Sequence, residues 1–167
     1  GVEKAEEYGD IGLYLFCDAD RMPRADFIQA HHEAHRRQRA TIVIGQVREM
    51  YVSHYESKST QIRDRLIQET GDRIPQYFQL VGKLFNAEGA TSSPIAWVST
   101  ASGNMSVSKS VFSKLGGFDE RFTDWGFEHM EFGYRANKQK LSFFYQKEAV
   151  NVHLAHPRDE MDYETRI

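Results

Sequence analysis

The chain has 167 residues, 40% hydrophobic and 27% charged, and its 21 basic against 24 acidic side chains leave a formal net charge of −3. That length suits a single domain over residues 1–167 with its own core, and the acidic balance argues against a nucleic-acid binder held by bulk electrostatics. A lone cysteine, Cys17, excludes an intramolecular disulfide, and a mean hydropathy of −0.60 without a long apolar run excludes a membrane-spanning helix.

Residues 12–17 form a short apolar run that stops at Asp18 and predicts a buried strand. Pro23 follows in a turn. Asp26 is placed to cap a helix running to about residue 37, with Phe27, Ala30 and Ala34 at helical spacing. Residues 41–47 are β-branched and apolar, a second strand extended toward Val52. Residues 53–93 are polar and broken by glycine and proline, and read as an insertion with helices near 57–69 and 75–85. Such an insertion serves as a lid or as a surface connection. A short strand is expected at 97–99, a helix at 108–115 closed by Gly116-Gly117, and a helix at 127–138. Strands at 142–145 and 149–153 end the series. Strands and helices alternate, so the class is α/β.

Three constellations can hold chemistry. In Asp18-Ala19-Asp20 the two carboxylates stand two apart at a strand end and can reach one cation, the usual arrangement beside phosphates. The same pattern also suits a turn that bonds its own backbone. Around Trp125-Gly126, the helix that follows carries Glu128, Glu131 and Arg135 on one face. Glu128 and His129 then sit at its N-terminus, where an acid or imidazole can act as a general base. His153, with His156 three residues on, ends an apolar strand and offers imidazole to manganese or zinc. A fourth group, His31-His32-Glu33-Ala34-His35, resembles a zinc-protease helix, but His32 occupies the place that motif gives to glutamate. It reads as a solvated helix face.

Taken in order, these residues resemble the later half of a GT-A glycosyltransferase. The nearest likeness is to family 2 and its galactosyl- and N-acetylgalactosaminyl-transferase-like branch. The resemblance rests on residues 15–20 with Pro23, on 102–106, on Gly116-Gly117-Phe118-Asp119-Glu120, on residues 125–131 with Arg135, and on His153. It implies a Rossmann-like mixed sheet flanked by helices. It also implies a nucleotide-sugar donor, UDP-linked, and a carbohydrate acceptor, with inversion at the anomeric carbon. By the resemblance, Mn²⁺ or Mg²⁺ is held by Asp20 and His153, with Asp18 on the metal or the ribose. Asn104, Trp125, Gly126 and Glu128 fall among the donor- and acceptor-binding positions.

Two departures bear on the expected chemistry. The family reads Glu-Asp where this chain has Glu128-His129, so the base is His129 or Glu128. Family members also carry a longer stretch before the Asp18 strand, which makes the missing N-terminal half of the same enzyme an expected partner. The alternative is a non-catalytic sugar- or nucleotide-binding remnant of the same fold. A third reading is a metallohydrolase using Asp18, Asp20, His153 and His156. Residues 1–10 are too charged for a signal peptide, so a cytoplasmic location is expected.

Overall fold

A computed structural model of the chain describes residues 2–7, 9, 11–38, 42–123 and 126–155. Helix α1 spans Val2–Glu6, and strand β1 spans Leu13–Cys17. They are followed by β2 (Arg21–Pro23), α2 (Phe27–Gln38) and β3 (Ile42–Tyr51). Next come α3 (Ser59–Gln68), β4 (Asp72–Arg73) and α4 (Gln76–Gly82). The chain continues through β5 (Asn104–Ser108), α5 (Lys109–Leu115) and α6 (Glu128–Lys138), and β6 covers Phe143–Ala155.

The strands form one mixed sheet in the order β1-β5-β3-β6-β2, and β4 pairs with the far end of β3. β3 and β6 are parallel, while β1–β5, β5–β3 and β2–β6 are antiparallel. β1 therefore points the same way as β3 and β6, and its C-terminal end opens on the same edge. Open α/β sheets bind ligands at that edge. The class is α/β with a mixed sheet, as expected.

Alternation on β3 sends Ile42 and Ile44 to one face and Val43 to the other. The first face joins Met105, Val107, Phe112, Leu115 and Phe132 in a core under α5 and α6, and the second packs Val43 against Ala34 of α2 and Phe144. Helices thus cover both faces. Ser108 caps α5 by accepting from Val111 N. Gly116 and Gly117 end it with φ of 83° and 71°, a left-handed pair that only glycine adopts without strain.

Three expectations change. The strand expected at 97–99 is a 3₁₀ turn over Ala96–Ser99, and the true strand, β5, begins at Asn104. Pro23 ends a short strand rather than sitting in a turn, and it lies on an edge of the sheet, where a missing N–H is tolerated. The two strands near 142–153 are one, and the β3 pairing jumps from Gln146 to Val150 across a bulge. The 53–93 stretch is also fastened to the sheet. The side chain of Asp72 is almost wholly buried, accepts from Arg24 Nη2 at 3.0 Å, and pairs with Arg48 Nε.

The histidine group on α2 is a further correction. His31 is fully buried, its Nδ1 2.8 Å from Ser106 Oγ and its Nε2 2.9 Å from Asn104 Oδ1. His35 reaches the same serine oxygen at 2.9 Å. Only His32 of the three stands exposed. This face of α2 closes over the polar side of β5, so it is core and not solvated.

Candidate functional site

β1 ends at Cys17, and a tight turn in which Arg21 N donates to Asp18 O at 3.1 Å leads directly into β2. Arg21 of β2 pairs directly with His153 of β6, which brings the turn before it to that histidine. His153 Nε2 lies 3.2 Å from Asp20 Oδ2. Residues far apart in the chain meet here through β2–β6 pairing.

Asp18 has a different partner. Its Oδ2 accepts from Arg21 Nε at 3.0 Å. The loop before β5 packs on this pair: a Cβ on Gly103 would sit 2.2 Å from Asp18 Oδ2 and 2.5 Å from Arg21 Nε, so a side chain there would displace the pair. Asn151 Nδ2 braces the same loop by donating to Gly103 O at 2.6 Å. Among the described residues no group of three or more His, Cys, Asp or Glu side chains converges as a metal cage.

Asn104 does not face the edge. Its Nδ2 donates to Gln46 O at 3.2 Å and Ala149 O at 3.0 Å, and its Oδ1 meets His31. Both polar atoms are engaged in a fully buried site.

The second group gathers at the start of α6. Gly126 and Phe127, with φ of 106° and 68°, turn the chain into Glu128. Glu128 Oε1 lies 3.4 Å from His129 Nδ1, and Oε2 is buried with no hydrogen-bond partner among the described residues. Trp125 lies outside the described residues, as does His156. Thr100 Oγ1 donates to His129 O at 2.9 Å, and Gly103, three residues on, touches the Asp18–Arg21 pair. Three residues reach at most about 11 Å, so the two groups flank one short loop.

The surrounding motif is largely scaffold. Asp119 accepts from Arg121 N at 3.0 Å and from its guanidinium, which holds the carboxyl down at about 2. Arg135 forms a two-point pair with Glu131, at 2.6 and 2.7 Å, and donates to Gly117 O at 2.8 Å. The expected ion pair is present, and it locks α6 to the end of α5. A separate open groove of about 710 Å³, between α2 and residues 82–89, includes none of the candidate residues. Asp20 and His153 lie instead at the C-terminal edge of the sheet, the edge at which open α/β sheets bind ligands.

No helix among the described residues is long and apolar enough to cross a membrane. Residues 83–157 match a family model described as the N-terminal domain of galactosyltransferase. That match takes in the glycine-rich turn, α6 and His153, and leaves out Asp18 and Asp20. The chain is 24% identical to a Bacillus subtilis (strain 168) protein named "Uncharacterized glycosyltransferase YfnE", over 89% of this chain and 45% of that protein. It is 36% identical to the validoxylamine A glucosyltransferase of Streptomyces hygroscopicus subsp. jinggangensis (strain 5008), over 33% of this chain and 13% of that protein. The counterpart from subsp. limoneus is 36% identical over 33% of this chain and 12% of its own length. The chain thus spans less than half the length of the relatives it matches. The matches support a glycosyltransferase.

Proposed function

We propose that this chain forms the metal-assisted donor edge of a GT-A-type, family-2-like glycosyltransferase, which moves a sugar from a UDP-linked donor to a carbohydrate hydroxyl with inversion. The observation that carries the reading is the meeting of Asp20 and His153 at the C-terminal edge of the parallel strands, 3.2 Å apart. Two donors on neighbouring positions of an octahedral ion with bonds of about 2.1 Å lie about 3 Å apart, so this pair fits a shared Mn²⁺ or Mg²⁺. One carboxylate and one imidazole leave the remaining positions to water and phosphate, as such sites usually do. The ion, when bound, supplies Lewis-acid stabilisation of the charge that grows on the departing diphosphate.

The protein's own groups do the rest. Glu128 holds a buried carboxylate oxygen without a partner among the described residues, and this oxygen takes the proton of the acceptor hydroxyl as the hydroxyl oxygen bonds to the sugar. The bond from the anomeric carbon to the diphosphate breaks in the same step. His129 lies against the other carboxylate oxygen and orients or shares the base. Gly126, with its φ of 106°, leads the chain into this group beside the sugar.

A panel of nucleotide sugars, assayed for hydrolysis and transfer by the full-length protein with Mn²⁺ and with a chelator, tests the reading. Chelator-sensitive turnover of a UDP-sugar is expected. Binding of UDP without turnover of any donor favours the non-catalytic remnant. Glu128→Gln is expected to lower kcat about a hundredfold with KM little changed, and His129→Ala, measured beside it, reports how far the imidazole shares the task. Unchanged kcat in Glu128→Gln would remove Glu128 as the base.

A further inference from the structure

Arg21 follows the acidic turn directly, and nothing in the proposed reaction uses it. Its position on β2 is opposite His153 on β6, and directly opposed residues of an antiparallel pair send their side chains to one face. The guanidinium therefore shares a face with the imidazole. Its side chain is only 15% exposed. Nε donates to Asp18 Oδ2, and Nη1 is buried without a hydrogen-bond partner among the described residues.

A brace for the turn would need none of this. An i,i+3 pair formed only to steady a loop leaves its outer nitrogens in water, where they are hydrated at no cost. Here the guanidinium is drawn inward and held on one side by Asp18, in space that a Cβ at Gly103 would take. Asn151, itself fully buried, fixes Gly103 by donating through Nδ2 to its carbonyl oxygen at 2.6 Å. The result is a planar, pre-oriented donor fork beside the Asp20–His153 pair.

We infer that Arg21 binds the diphosphate of the nucleotide donor and that Asp18 is the residue that positions it, rather than a metal ligand. A guanidinium matches phosphate oxygens in pairs and keeps its charge at every working pH. The inference rests on the proposed donor site. It assigns that site two separate cationic contacts, a metal ion on Asp20 and His153 and a fixed guanidinium on Arg21. It also explains why Asp18 and Asp20, two residues apart, have different partners.

The test uses the full-length protein and two probes. Mn²⁺ alone is followed by its paramagnetic resonance signal, and UDP and uridine are followed by calorimetry at saturating Mn²⁺. Arg21→Gln is expected to weaken UDP binding about tenfold or more and to leave uridine binding unchanged. Arg21→Lys, which keeps the charge and loses the fork, should recover only part of the UDP affinity. Asp18→Asn should lower UDP affinity in the same direction while Mn²⁺ binds as in the wild type. Wild-type UDP affinity in Arg21→Gln overturns the inference and leaves the donor site standing. Loss of Mn²⁺ binding in Asp18→Asn returns Asp18 to the metal and overturns the positioning role. A wild-type protein that binds neither Mn²⁺ nor UDP overturns both the donor site and this inference.

Discussion

On the proposed reading, Asp20→Asn is expected to lower Mn²⁺-dependent turnover of the nucleotide sugar by about a hundredfold or more and to leave the fold intact, because a Lewis acid at the leaving group is worth several kcal/mol of the barrier. The amide keeps the size of the carboxylate and removes its charge. Its side chain is 48% exposed, so the folded state loses little. A surface Asp–His contact by itself is worth at most about 1 kcal/mol of stability. The two accounts of the pair therefore diverge by the readout. An ion pair that only ties β2 to β6 gives a slightly lower Tm and unchanged turnover. A metal site gives an unchanged Tm and a large fall in kcat, with a higher Mn²⁺ concentration needed for what activity remains. Full-rate turnover by the variant at the wild-type Mn²⁺ requirement would end the metal role. His153→Ala should follow Asp20→Asn in direction, since each removes one of two donors to the same ion.

Much of this edge was legible in the sequence, for reasons that differ by residue. β1 and β3 are apolar runs bounded by polar residues, and α2 and α6 carry apolar residues at helical spacing, so local pattern was enough. β5 was not legible. Asn104 and Ser106 alternate with Met105 and Val107, and the polar pair is buried only because His31 and His35 arrive from α2 to bond them. That is a tertiary fact, and the same residues read locally as a loop. The 97–99 segment failed in the opposite way, since Trp97 and Val98 are apolar for packing and sit in a 3₁₀ turn. Asp20 and His153 were named together through a family likeness. Their contact depends on β2, three residues long and ending in Pro23, which no propensity would have favoured as a strand. Arg21 carries a sequence signal of its own, a basic residue directly after two paired acids.

The buried histidine makes a second large effect. Asn104 gives both its amide hydrogens to backbone carbonyls, so its Oδ1 must accept, and His31 Nε2 carries the hydrogen. Nδ1 then accepts from the Ser106 hydroxyl, whose oxygen in turn accepts from His35 Nε2. A second proton on His31 has no acceptor in this chain without reversing it. Burial, aided by His35 and opposed by the Asn104 contact, lowers the His31 pKa from 6.5 to about 4. The folded state therefore binds fewer protons than the unfolded one between those values. Stability from this group is complete above 6.5, falls as the pH drops toward about 4, and is constant below that. The loss across the window is about 3 kcal/mol. His31→Leu removes the titration but strands the Asn104 carbonyl and the Ser106 hydroxyl, at about 1–3 kcal/mol for each. It should thus be less stable than the wild type near neutral pH, and the gap should shrink by about 3 kcal/mol toward pH 4. Urea midpoints measured at several pH values read this directly. A gap that stays constant across the range would mean that His31 takes up its proton in the folded state as readily as in the unfolded one.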